Sequence, residues 1–152
     1  LTTSRKNATL LWEAFRLRPH VHLVVAGFSR RALRGCPPPP PNIFFLENPS
    51  DEDLARLYAH CKAVISASLY EGFDLPPVEG AFYGAPVLLS DIAIHREIWG
   101  EEAQYFDPWD PGALARLLDA PLTPSFQVAR CFAPDKIKSQ LLALLSDTLN
   151  HF

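Results

Sequence analysis

Cysteine is scarce: only Cys36, Cys61 and Cys131 occur in the 152 residues. They are widely spaced, odd in number and form no Cys-x-x-Cys pair, which fits neither a zinc site nor a disulfide framework. A reduced, cytoplasmic compartment follows from that usage. No apolar run approaches the roughly 20 residues needed to span a bilayer, and no signal peptide opens the chain. Net basic charge is also lacking. The formal charge is -3, so no overall field draws the protein to nucleic acid or anionic lipid. Neither Gly-x-Gly-x-x-Gly nor a P-loop occurs, which removes the dinucleotide and NTPase fingerprints.

What is present suits one globular domain with a single core: 48% of residues are hydrophobic and 20% charged. Residues 7–17 read as a helix, with Leu10, Leu11, Ala14 and Phe15 on one face and Pro19 ending it. Val21 to Ala26 is a short apolar run closed by Gly27, a buried strand by composition. Residues 42–46 form a second strand. Ser50 and Asp53 stand at capping-box spacing before Leu54, Leu57, Tyr58 and Cys61, which recur at helical intervals and place Cys61 on the apolar face.

Residues 63–66 and 86–89 read as further strands, separated by a helix that Pro76 and Pro77 start and Gly84 ends. Residues 103–106 make a short fifth strand. Asp110-Pro111 opens a helix through Leu114, Leu117 and Leu118, and a last helix begins near Asp135 and turns Ile137, Leu141, Leu144 and Leu145 inward. The alternation predicts a doubly wound α/β domain with a parallel sheet covered on both faces, whose ligands sit outside the carboxyl ends of the strands. Leu1 to Ser4 lead straight into the first helix with no complete strand before it, and are read as the start of a fragment truncated at its amino terminus.

Several features have plain readings. Pro37 to Pro41 is a stiff polyproline II spacer on the surface. Arg30, Arg31 and Arg34 form a basic cluster on a solvated loop. His20 and His22 share a strand face without a third ligand, so chance outweighs a metal. His95-Arg96-Glu97, after the fourth strand, either lines the cleft or forms an ion pair at a helix start.

Chemistry concentrates in Glu71-Gly72-Phe73-Asp74-Leu75-Pro76-Pro77-Val78-Glu79, which joins the third strand to a helix. Gly72 permits a tight turn, and the prolines preset the first helical turn without donating hydrogen bonds. The amides from Gly72 to Leu75, with the positive end of the helix, would cradle an anion such as a diphosphate. Glu71 and Glu79 would flank that pocket as acceptors for sugar hydroxyls. Singly, Glu79 is also explained by the helix dipole and Asp74 by capping.

Taken together, Glu71 through Glu79 resembles the Glu-x7-Glu motif of glycosyltransferase family 4 (group 1), usually seen as Glu-Gly-Phe-Gly-Leu-Pro. The resemblance continues in Gly84-Ala85-Pro86-Val87, Ser90-Asp91, Arg96-Glu97 and Phe106-Asp107-Pro108, and reaches back to Arg5-Lys6-Asn7 and to Ser50 through Leu54. It covers residues 5–118 in the right order and spacing. It implies a Rossmann-like carboxyl-terminal half of a GT-B enzyme, with residues 1–152 as the donor-binding domain and the amino-terminal acceptor domain missing.

The same resemblance implies an enzyme of hexosyltransferase type. It would move a sugar from a nucleotide diphosphate sugar, a GDP- or UDP-sugar, to a glycan, lipid-linked or polysaccharide precursor, with retention, without metal and without a cofactor. Lys6, with Arg5 beside it, would neutralise the departing diphosphate. Glu71 would meet the transferred sugar, and the backbone of Phe73, Asp74 and Leu75 would bind sugar hydroxyls and phosphate. Glu79 would take the ribose, and Leu46 and Glu47 would border the base. The full-length enzyme could associate peripherally with a membrane, and the isolated domain would be inactive.

Three departures stand out. Asp74 replaces the more usual glycine, Glu47-Asn48 is unusual beside the base, and a second basic residue of the family would fall before Leu1. The base is left open among uracil, guanine and adenine. A paired-carboxylate glycosidase fits less well, and Asp51-Glu52-Asp53 suits a solvated cap better than Mg²⁺. The main alternative is a non-catalytic nucleotide-sugar-binding or interaction domain.

Overall fold

The computed structural model describes residues 5–27 and 37–125. The expected helix near Asp135, the Arg30, Arg31 and Arg34 cluster, Cys36 and Cys131 lie outside them. The described elements run α1 (Ala8–Arg16), β1 (Leu23–Ala26), β2 (Ile43–Leu46), α2 (Asp51–His60), β3 (Val64–Ser66), α3 (Leu75–Phe82), β4 (Val87–Ser90), α4 (Ala93–Trp99), β5 (Gln104–Phe106) and α5 (Pro111–Asp119). Every pairing between these strands is parallel, and β3, β4 and β5 are joined through α3 and α4.

β4 lies between β3 and β5, and all four of its residues are buried. Side chains alternate across a strand, so its two faces enter different cores. Leu88 joins Trp12 and Phe15 of α1 and Leu114 and Leu118 of α5. Val87 and Leu89 join Val78 and Ala81 of α3 and Trp99 of α4. Helices therefore cover both faces, and each fully buried leucine contributes roughly 2 kcal/mol. This is the doubly wound arrangement that the alternation predicts.

β1 and β2 form a separate two-stranded sheet. Leu23, Val25 and Phe45 pack toward α1, while Val24 and Phe44 on the other face are 44% and 52% exposed. The strand at residues 21–26 is thus buried on one face only. α2 contributes no fully buried residue. β1 and β3 border a common cavity of about 580 Å³, lined also by Leu54 and Leu57 of α2. Among the described residues each of these two strands is paired along one edge alone.

Local signals explain the helix starts. Ser50 Oγ accepts from the Asp53 amide and Asp53 Oδ2 accepts from the Ser50 amide, both at 3.1 Å, so the acidic run is an exposed cap. Asp110 Oδ1 accepts from the Gly112 amide at 2.8 Å, with Pro111 in the first turn.

Four readings change. Cys61 follows α2 as its C-cap instead of lying on its face, and burial raises its thiol pKa. His20 and His22 precede β1 and share no strand face, and His20 Nε2 lies 3.6 Å from Asp119. The proline run braces α1: Pro40 is buried, and the Pro37 and Pro38 carbonyls accept from Trp12 (3.1 Å) and Arg16 (2.7 Å). Finally, α4 spans Ala93–Trp99 around His95-Arg96-Glu97, where a helix start was one of two readings and seven residues are too few to display helical periodicity.

Candidate functional site

The Arg5-Lys6-Asn7 segment is pinned at the carboxyl end of β3. The Arg5 carbonyl accepts from the Leu69 amide at 2.9 Å, and Asn7 Nδ2 donates to the Pro108 carbonyl at 2.8 Å. Asn7 therefore ties the start of α1 to the turn after β5 and does not cap the helix with its side chain. These two ties place the neighbouring cations beside the loop that enters α3.

Glu71 receives both cations. Its side chain is 7% exposed; Oε1 forms an ion pair with Lys6 Nζ at 2.7 Å, and Oε2 pairs with Arg5. Ser68 Oγ donates to Oε1 at 2.8 Å. Lys6 Nζ also reaches Asp74 Oδ1 at 3.1 Å. Two cations and two carboxylates thus converge past the end of β3.

Asp74 departs from what the sequence suggests. It occupies the N-cap position of α3, but its side chain makes no capping hydrogen bond. Its backbone is left-handed at φ 72°, whereas Gly72 has no positive φ. The position in this loop that favours glycine is therefore 74, which gives a physical reason for the glycine usual there. Burial opposes ionisation of Asp74, but hydrogen bonds from His95 and Ser66 and the Lys6 ammonium outweigh it and bring its pKa down to about 2.

Glu79 lies in the first turns of α3 and accepts from Tyr58 Oη of α2 at 2.8 Å. The Tyr58 ring stacks on Tyr83 with centroids 6.0 Å apart. Burial first, and then the Glu79 carboxylate, raise the Tyr58 hydroxyl pKa, so Tyr58 stays a donor.

A cavity of about 470 Å³ is lined by Lys6, Asp74, Pro76 and Glu79, along with Tyr58 and Ser68. Glu71 stands at the same cluster through Lys6 and Ser68. Leu46 lines the neighbouring cavity, and Glu47 is exposed and lines neither, so this pair is not brought onto Lys6, Asp74 and Glu79. Gly72 is exposed, with space around the position of a Cβ; Leu75 is 59% exposed; Phe73 packs against the core under α3 and α4.

Sequence reasoning gave no site role to Tyr58, Ser68 or Ser90, and read His95 as either lining the cleft or pairing at a helix start. His95 is fully buried, with Nε2 3.2 Å from Asp74 Oδ2. The ion pair belongs to its neighbour: Arg96 holds Asp91 with two bonds of 2.7 and 2.8 Å and lies 3.7 Å from the centre of the Tyr105 ring. An aspartate in place of a glycine was the one signal available for the buried contact.

Chemically, the cluster can receive a compact polyanion: two preorganised cations stand beside the start of a helix, with ionised carboxylates nearby to accept hydroxyls. Among the described residues, no group of three His, Cys, Asp or Glu could hold a metal ion, and no helix is long and apolar enough to cross a membrane.

Comparison with known proteins gives the family and the fold. The family model of glycosyl transferases group 1 matches residues 2–125. The serotype-specific mannosyltransferase WbdA of Escherichia coli is 42% identical over 87 residues, which are 57% of this chain and 11% of that protein. The O-antigen chain mannosyltransferase RfbU of Salmonella typhimurium is 35% identical over 68 residues, 45% of this chain and 19% of that one. The chain thus spans between a tenth and a fifth of these relatives' lengths. A crystal structure of a glycosyltransferase from Rickettsia africae matches with a TM-score of 0.77 at 21% identity, covering 97% of this chain and 46% of the other. At that identity the likeness speaks for the Rossmann-like fold.

Proposed function

The chain belongs to the glycosyl transferases group 1 family, and from that premise we propose that it is the donor-binding domain of a larger enzyme that transfers a sugar from a nucleotide diphosphate sugar. The observation that carries the reading is the convergence of Arg5, Lys6, Glu71 and Asp74 past the carboxyl end of β3, with Glu79 on the same cavity as Lys6 and Asp74. In this reading Lys6 and Arg5 take the diphosphate, Glu71 the transferred sugar and Glu79 the ribose. The backbone of Gly72, Phe73, Asp74 and Leu75 borders the sugar and phosphates, and Leu46 and Glu47 border the base from the adjoining side.

Charge develops on the departing diphosphate as the glycosidic bond breaks. Cations already in place stabilise that charge more than they stabilise the bound donor. This supports electrostatic catalysis with the protein's own cations in the role that a metal takes elsewhere; retention is carried over from the resemblance to family 4. The likeness to two mannosyltransferases makes mannose the first sugar to test, on a GDP or UDP carrier.

Among the described residues the edges of β1 and β3 border one cavity, where one more parallel strand would pair with both, and the small share of its relatives that the chain spans supports a place within a larger protein. The acceptor site and the groups that exclude water would lie in that remainder. Calorimetry with GDP, UDP and ADP, beside a transfer assay, tests the reading. This chain should bind a nucleoside diphosphate and transfer no sugar, whereas the enzyme containing it should do both. Absence of binding to all three nucleotides overturns the donor-site assignment, and robust transfer by the chain alone overturns the division of labour.

A further inference from the structure

Asp74 holds a left-handed backbone at φ 72°, which costs an L-residue about 1 kcal/mol and a glycine nothing. Its carboxylate makes contacts that can offset that cost. Oδ1 accepts from Lys6 Nζ at 3.1 Å, and Oδ2 faces His95 Nε2 at 3.2 Å, with the Asp74 side chain 2% exposed and the His95 side chain 0% exposed.

The partners decide where the ring protons sit. Ser90 Oγ donates its single proton to the Ser68 carbonyl at 2.6 Å, so toward His95 Nδ1, 3.3 Å away, it can only accept. The Ser90 carbonyl, 2.9 Å from Nδ1, is likewise an acceptor only. Nδ1 therefore carries a proton. On the far side of the ring Nε2 meets Asp74 Oδ2, and the Lys6 ammonium 3.1 Å from Oδ1 of the same carboxylate favours its ionised form. An ionised carboxylate offers no proton, so Nε2 must supply one as well.

We propose that His95 is a buried imidazolium that acts through Asp74 as a positioning residue for Lys6. The inference rests on the donor-site reading above. The chain of contacts runs from the end of β4 through α4 to the start of α3 and on to Lys6, two residues ahead of α1. Three cations, Arg5, Lys6 and His95, then stand against two carboxylates, Glu71 and Asp74, and leave the cluster one net positive charge. A neutral ring would leave none. With His95 satisfying Oδ2, Lys6 is not the only counter-ion of a buried carboxylate, and its ammonium remains available to a diphosphate.

Two measurements on the protein test this. Histidine-selective ¹⁵N spectra at neutral pH should show both ring nitrogens of His95 protonated, and only one of them in Asp74→Asn. Calorimetry with GDP and UDP should show His95→Gln weakening binding about tenfold, the loss of one charge-assisted hydrogen bond. In a Lys6→Ala background the same change should cost less than about twofold, because its effect passes through Lys6. A neutral His95 ring in the wild type overturns the proposal, as does an equal loss from His95→Gln in both backgrounds. If the wild type binds neither nucleotide, the donor-site reading falls, and the ring spectra decide the imidazolium by themselves.

Discussion

Tyr58 of α2 donates its hydroxyl to Glu79 of α3 across 2.8 Å, so the carboxylate proposed for the ribose is held by a side chain from another helix. The contact gives Glu79 one fixed partner and leaves its second oxygen for a ligand. Tyr58→Phe removes that anchor without changing the ring that stacks on Tyr83. In the full-length enzyme it should raise the Kd for a nucleoside diphosphate about three- to tenfold, in keeping with one hydrogen bond to a charged group. Because the ribose does not react, kcat at saturating donor should stay within about twofold. A fall in kcat with unchanged affinity would contradict the assignment.

Lys6 and Glu71 should respond differently from Glu79. Lys6→Ala should lower kcat of the full-length enzyme by on the order of a hundredfold or more, as when one preorganised charge-stabilising group is lost. Glu71→Gln should also act chiefly on kcat, since its proposed contact is at the sugar where charge develops, whereas Glu79→Gln should act chiefly on nucleotide affinity. Steady-state kinetics read beside calorimetry separate the two. Matching signatures for both glutamate variants would dissolve the distinction.

Acid should expose the contribution of Asp74. Its pKa is about 2 in the folded protein and about 3.9 in the unfolded chain. The stabilisation is therefore present in full above about pH 4 and disappears as pH falls through about 2. Asp74→Asn should be less stable than the wild type near pH 6, and the gap between their urea midpoints should narrow between pH 4 and pH 2. A constant gap across that window would show that the carboxylate charge contributes nothing.

Gly80 reports on how closely α3 lies on β3. A Cβ built there would stand 2.3 Å from Val64 Cγ2 and 3.2 Å from its Cβ, and a branched side chain on a strand has little room to yield. Gly80→Ala should destabilise by about 1–3 kcal/mol despite the better helix propensity of alanine. Urea unfolding checks it. Replacing Val64 by Ala in the same protein should recover part of the loss, and no recovery would mean the clash lies elsewhere.

Much of the fold was legible because its signals are local. The capping box at Ser50 and Asp53, the proline in the first turn of α5 and the apolar run of β4 each act over a few residues, and each formed where its pattern lay. α4 was legible only in part for the converse reason, since it is too short to show a period. In the Glu71–Glu79 loop residue type points to Gly72 for the tight turn, but the positive φ falls on Asp74. Composition alone could not say which residue would absorb the turn, because that depends on where β3 ends and α3 begins.

The order of strands and helices, and the residues that could carry charge to a diphosphate, follow from the chain as written. Which of those residues meet does not. Lys6 and Asp74 are 68 positions apart, and His95 and Asp74 are 21 apart. No short-range pattern links them. They meet because parallel strands, each returned by a helix, deliver their carboxyl ends to one edge of the domain. There burial removes water from an aspartate and a histidine that would be ordinary surface groups anywhere else, and their polar atoms are satisfied by each other, by Lys6 and by the Ser90 carbonyl.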